Sequence, residues 1–164
     1  MGFLQIPKVR PCLIGPRCTF GVQRARSVPQ LIADGNYDFV ESTISGFTNC
    51  KPEIDQQRVA VQFFRANGIL HSIDVCEELF RRRYRPINIF ELLSLGIAYP
   101  HLQRRFCIVA LGTVVVDPES GVQVCAGLTS DCVSPWLFPG RDLASFCFDF
   151  PWHGKHRFAA VRKD

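Results

Sequence analysis

The chain has 164 residues, the size of one domain, and its 47% apolar and 21% charged residues are ordinary for a globular protein. Fourteen Phe against one Met indicate that aromatic side chains fill much of the core. The net charge is +4. No apolar run reaches the roughly 18 residues of a transmembrane helix, so the sequence excludes that class and no membrane partner is expected.

The N-terminal segment, residues 1–27, is predicted to be irregular and basic. Before the first acid, Asp34, its cations are Lys8, Arg10, Arg17, Arg24 and Arg26. Such an arm could touch phosphates, but a solvated leader is the interpretation that we favour. The rest of the chain, residues 28–164, is predicted to form a single α+β domain.

The first elements of this domain are a helix, a loop and a strand. Val28–Phe39 is predicted to be a short helix, with Ser27 as its cap and Gly35 near its end. Glu41–Gln57 is rich in Ser, Thr, Gly and Asn, which indicates a loop. The alternating run Arg58–Arg65 predicts a strand.

Two further helices are predicted before the pattern changes. The first begins at Ser72 and ends at about Arg83. One apolar stripe predicts its buried face, namely Ile73, Cys76, Leu79 and Phe80. The second helix is capped by Asn88, and Glu91, three residues on, completes a capping box.

The last third of the chain has the period of strands. Phe106–Asp117 and Val122–Cys125 predict a hairpin, and Gly127–Asp142 predicts a long loop. Leu143–Phe150 and His156–Arg162 predict the final two strands. Strand-poor and strand-rich halves together favour an α+β fold, with two helices packed on a curled antiparallel sheet.

Eight cysteines are present, but no Cys-x-x-Cys pair indicates a zinc site, and no metal or other cofactor is expected. Four of them occupy predicted core positions, namely Cys76, Cys107, Cys125 and Cys147. Because the N-terminus is a poor secretion signal, we expect reduced thiols and a cytoplasmic protein. A disulfide framework is the alternative.

Three segments resemble a group of uncharacterised conserved bacterial proteins that are common in small-genome candidate-phylum bacteria. They are Arg85–Gly96, Tyr99–Gly112 and Phe150–Lys163, and Asn36–Val40 resembles the N-terminal part of the same group. The resemblance extends over roughly residues 28–163. The group has no established activity, so it implies no catalytic residues.

A weaker resemblance is to bacterial C-type-lectin-like domains. Arg85-Pro86 stands where that family has an Arg-Leu-Pro-Thr start, without the Leu, and Asn88 replaces the Thr. Arg157–Arg162 resembles the family's ending near Val-Arg. The resemblance implies a fold in which the first strand pairs with the last, here Val59–Phe64 with Phe158–Val161. The calcium triplet of the lectins is absent, so calcium-dependent sugar binding is not implied.

The leading functional prediction is a non-enzymatic module that binds a protein or a small ligand through its loops. Exposed loop aromatics mark such surfaces, although the same side chains could instead cap the core. The predicted surface comprises Gly127–Asp142 and the turn Pro151–Lys155. The residues predicted to make contact are Trp136, Phe138, Arg141 and Trp152.

Two alternatives belong to other classes. Nucleic-acid binding could use two basic clusters, Arg81, Arg82, Arg83 and Arg104, Arg105. A helix end with its charge complement and a solvated face is the simpler interpretation of these clusters. A small enzyme could pair Cys147 with His153 or His156, but Cys147 alternates with Phe146 and Phe148 in an apolar run.

Overall fold

The computed structural model describes residues 8–12, 18–52, 57–130 and 140–164. Over these residues the protein is an α+β fold with nine strands in one sheet. The strands are β1 Val9–Cys12, β2 Cys18–Gly21, β3 Phe39–Val40, β4 Arg58–Ala66, β5 Tyr84–Pro86, β6 Cys107–Val116, β7 Gln123–Thr129, β8 Asp142–Cys147 and β9 His156–Arg162.

Within the described ranges three α-helices accompany the sheet, α1 Val28–Gly35, α2 Ser72–Arg81 and α3 Ile89–Ala98. Two short 3-10 helices, Ser42–Phe47 and Leu102–Arg104, complete the described elements. The predicted fold had two helices, whereas the described residues form three α-helices. In the described ranges no helix has the length and apolarity needed to cross a bilayer.

The sheet has the order β1-β4-β9-β6-β7-β8-β3, with β2 also on β4 and β5 also on β9. Most pairs are antiparallel, but β6 runs parallel to β9 and β3 runs parallel to β8. The predicted antiparallel sheet is thus a mixed one. The segment predicted to be irregular contains two strands, β1 and β2, which both pair with β4.

The pairing of the first long strand with the last one is confirmed. In the antiparallel ladder of β4 with β9, Val61 lies opposite Val161 and Phe64 lies opposite Phe158. The hairpin of β6 and β7 is confirmed as well, with a register shift between Ala110 and Val114.

Alternate residues of the central strands bury apolar side chains on both faces of the sheet. In β9, Ala159 and Val161 belong to the core cluster that includes α1 and α3, whereas Phe158 and Ala160 belong to the cluster that includes α2. We call these sides the two-helix face and the one-helix face.

Local capping fixes where two of the helices begin. Ser27 accepts from Gln30 N at the start of α1, and Asn88 accepts from Glu91 N at the start of α3, each within a complete capping box. Both predicted caps are confirmed. Helix α2 is different, because its N-cap is His71, whose backbone N–H donates to Asp74, rather than Ser72.

Candidate ligand-binding groove

The groove forms where the sheet divides. Strand β6 pairs with β9 only over Cys107–Val109, and β5 then takes its place on the same edge of β9, over Ala160–Arg162. The Gly112 N–H donates to the Ile87 carbonyl at 2.9 Å. A Cβ at Gly112 would lie 2.5 Å from that oxygen, so only glycine allows β6 to approach the end of β5 so closely.

Helix α2 crosses above this division and leaves a groove of about 460 Å³. Strand β5 contributes Tyr84, Arg85 and Pro86 to its lining, and β6 contributes Leu111 and Gly112. Tyr84 is itself held by an edge-on contact with Phe64, with the ring centroids 5.0 Å apart. The floor of the groove is therefore mostly apolar and is built on paired strands.

The wall and the rim come from α2 and from the residue after β9. They are Cys76, Glu77, Phe80 and Lys163. The Phe80 side chain is 67% exposed, and the Lys163 ammonium lies 4.4 Å from the centroid of its ring. A large aromatic ring thus stands in solvent beside a cation.

Arg85 is a lining residue whose charge is already paired. Its two terminal nitrogens donate to the two carboxylate oxygens of Glu91, at 2.9 Å and 2.7 Å. Glu91 is almost completely buried and also accepts from Asn88 N in the α3 capping box. This ion pair ties β5 to the start of α3 and leaves the Arg85 fork occupied.

Glu78 is the other buried acid near the groove, and it pairs with Arg81 and Arg82. Burial by itself would raise the pKa of Glu78, but hydrogen bonds and charges from Arg81 and Arg82 outweigh it, so the pKa lies below its usual value. Arg82 also donates to the Val9 carbonyl at 2.9 Å, which joins α2 to β1.

The cysteine in the groove wall is not an activated nucleophile. Burial raises the pKa of the Cys76 thiol to about 11, so the thiol is protonated at neutral pH. Among the described cysteines, Cys18, Cys76, Cys125 and Cys147 are free thiols. Cys107 and Cys125 are buried as predicted, whereas Cys147 is exposed and not a core residue.

Arg141, predicted to face a partner, is buried inside the protein. Its guanidinium donates to the carbonyls of Pro100 and Gly96, both at 2.9 Å, and to those of Gly35 and Asn36. These carbonyls belong to the carboxyl ends of α1 and α3 or to the residues that follow, where cations are favoured. Arg141 therefore joins two helix ends and does not present a surface.

Trp152 is also a core residue, which corrects its predicted place on a binding surface. Its side chain is fully buried on the one-helix face, and its indole N–H donates to the Ser72 hydroxyl at 2.7 Å. Ser72 in turn donates to the Phe148 carbonyl at 2.6 Å. Of the two interpretations of this residue, capping the core is the one that the structure supports.

The other two predicted contact residues, Trp136 and Phe138, lie outside the described residues, as does most of Gly127–Asp142. Of the described part of that segment, residues 127–129 belong to β7 and Asp142 begins β8, whereas Ser130, Gly140 and Arg141 lie outside both strands.

The two basic clusters lie toward opposite ends of β9. Arg104 and Arg105 are exposed just before β6, which starts opposite the beginning of β9. Arg81, Arg82 and Arg83 lie near its other end, where the Lys163 N–H donates to the Arg83 carbonyl. The fold therefore does not join the clusters into one basic surface, and nucleic-acid binding stays a prediction.

The proposed thiol–imidazole pair is not supported by the strand geometry. The rings of His153 and His156 lie 4.6 Å apart, and His156 contacts Phe146. Cys147 follows Phe146 in β8 and so points to the other face of the sheet. Within the described ranges, no three His, Cys, Asp or Glu residues form a group that could hold a metal ion.

Comparison with protein-family models, curated proteins and solved structures finds no match to this chain. The groove geometry is therefore the main guide to function.

The sequence interpretation did not find this groove, because it assigned Phe80 and Ile73 to the core. The sequence did contain a signal for the groove. Helix α2 carries two apolar or small-residue stripes, one position apart, Ser72, Val75, Leu79 and Ile73, Cys76, Phe80. Only one stripe can face the sheet, so the other must lie at the surface or line a site.

Proposed function

We propose that the protein is a small-molecule-binding module whose groove takes the hydrocarbon body of an elongated ligand. The observation that carries this proposal is the groove itself. Its volume of about 460 Å³ falls within the roughly 300–1,000 Å³ that is usual for small-molecule sites. Its floor of Tyr84, Pro86 and Leu111 rests on the sheet, so the site exists before a ligand arrives.

The lining supports a hydrocarbon rather than a polar body. A ligand that is polar along its length would exchange water for apolar walls and lose hydrogen bonds, whereas a hydrocarbon would gain by its burial. Beyond Gly112, Val114 and Val116 are 37% and 57% exposed. Val114 lies opposite Cys125, a residue of the one-helix face, so the apolar surface continues on that face.

Titration with 1-decanol, followed by backbone amide NMR, tests the proposal. We expect saturable shifts at Tyr84, Arg85 and Leu111. Phe80→Ala should weaken binding about fivefold, because it removes one exposed wall of the groove. The matched control is Ile73→Ala, which changes a 62% exposed side chain of the same helix outside the groove and should leave affinity unchanged.

Shifts that scatter over the surface, or equal losses in the two variants, would contradict a groove site. Such results would indicate general adsorption on exposed apolar side chains.

The family resemblances of the chain and its location in the cell also remain proposals. The ladder between β4 and β9 supports a C-type-lectin-like arrangement, since that resemblance implies paired terminal strands. Membership of the uncharacterised bacterial group and a cytoplasmic location stay predictions from the sequence.

A further inference from the structure

The charges around the groove are uneven, and one lining cation, Lys163, forms no ion pair with a described residue. In the described part of the chain no carboxylate lies within ion-pair distance of the Lys163 ammonium, whose described contact is the Phe80 ring. Arg85, the other lining cation, is held by Glu91. Lys163 is therefore the cation that a ligand could pair with at the lowest cost.

Further cations lie in the chain segments that border the groove, although most of them are not among its lining residues. Around the end of α2, β5 and the end of β9 lie six cations, Arg81, Arg82, Arg83, Arg85, Arg162 and Lys163. The acids in these segments and beside them are Glu77, Glu78, Glu91 and Asp164, of which Glu78 and Glu91 are used in ion pairs. These bordering segments therefore carry more cations than acids.

The backbone at Arg83 is a further departure from the ordinary. Its φ of 63° is in the left-handed region, where glycine or asparagine is favoured over a long side chain. Arg83 thus places a cation where the turn between α2 and β5 would accept glycine. The Arg83 carbonyl accepts from the Lys163 N–H.

We infer that the groove binds a monocarboxylate with a hydrocarbon tail, with the tail on the apolar floor and the carboxylate at the Lys163 ammonium. This rests on the proposed function and adds the head group to it. A single available lining cation matches a single negative charge, and the apolar floor matches an unsubstituted chain. Glu77, exposed on the same rim, opposes the carboxylate.

The test compares decanoate with 1-decanol, which share a tail and differ in the head group. Affinities are measured by NMR titration for the wild type, Lys163→Gln and Glu77→Gln. Lys163→Gln should weaken decanoate binding about twofold to fivefold and leave 1-decanol unaffected. Glu77→Gln should strengthen decanoate binding by a similar factor. Lys163→Arg keeps the positive charge, so its decanoate affinity should equal that of the wild type.

The outcomes separate the two proposals. If neither compound binds in the groove, the proposed function fails together with the inference. If 1-decanol binds but Lys163→Gln leaves decanoate affinity unchanged, the groove stands and the carboxylate assignment is overturned. If Lys163→Gln weakens both compounds equally, Lys163 acts only through its packing on Phe80, and the inference is overturned as well.

Discussion

Helices α2 and α3 each have ten residues and lie on opposite faces of one sheet, yet they are buried very differently. In α3 the eight residues Ile89–Gly96 are all buried. In α2 only four residues are buried, and Ile73 and Phe80 are largely exposed. The two-helix face is closed, whereas the one-helix face keeps an open groove where β5 and β6 part along β9.

The difference follows from what each helix packs against. Helix α3 lies between the sheet and α1, and Arg141 fixes the carboxyl ends of both helices. Helix α2 has no second helix over it among the described elements, so its outer side chains are exposed, as Ile73 is, or line the groove, as Phe80 does. The closed two-helix face contributes stability, and the open groove on the one-helix face is available for binding.

The largest expected effect is in the closed part of the one-helix face. Trp152→Ala should lower the free energy of unfolding by about 4 kcal/mol, because it leaves a large cavity and removes the hydrogen bond to Ser72. Chemical denaturation measures the change. A loss below about 1 kcal/mol would be inconsistent with a fully packed indole.

On the two-helix face, Arg141→Met should lower the free energy of unfolding by about 3 kcal/mol. The substitution leaves buried carbonyls of two helix ends without their donor. Arg104→Met, at an exposed position, is the control and should change stability by less than about 0.5 kcal/mol. If Arg141→Met and Arg104→Met both changed the free energy of unfolding by the same small amount, the Arg141 contacts would not stabilise the closed face.

The ion pairs of Glu78 should make stability depend on pH. Because its folded pKa is lowered, its contribution is present above the unfolded pKa and is lost as the pH falls through the folded value. Glu78→Gln should therefore be about 1 kcal/mol less stable than wild type at pH 7, and this difference should shrink on acidification. Unfolding curves over that range measure it, and a constant difference would contradict the assignment.

The smallest effect is expected at the groove. Phe80→Ala should change the free energy of unfolding by less than about 1 kcal/mol, because its ring is mostly in solvent. Its neighbour Leu79 is fully buried, so Leu79→Ala should cost about 3 kcal/mol. If Phe80→Ala and Leu79→Ala lowered the melting temperature by similar amounts, Phe80 would be a core residue and the groove would be closed.

Several features were predictable from the sequence because they are local. The capping box of Asn88 and Glu91 needs only residues three apart, and the hairpin of β6 and β7 needs only two apolar runs and a turn. Strands β1 and β2 were not predictable in this way. Each has four residues, and each is defined by its pairing with β4, which lies far along the chain.

The candidate site shows the same division between local and distant causes. Its α2 side chains were visible in the sequence as a stripe, but two stripes, shifted by one residue, satisfy the helical period equally well. The contacts that choose between them come from distant residues, since Trp152 and Phe148 bind Ser72 and so turn Phe80 outward.

The sequence by itself determined the α+β class, the starts of α1 and α3 and the positions of the long strands, because caps and alternating apolar residues act over a few positions. Only the tertiary structure decided that Arg141 and Trp152 are buried and that β5 separates β6 from β9 beneath α2. Those outcomes depend on contacts between residues far apart in the chain, whose partners no short-range pattern specifies.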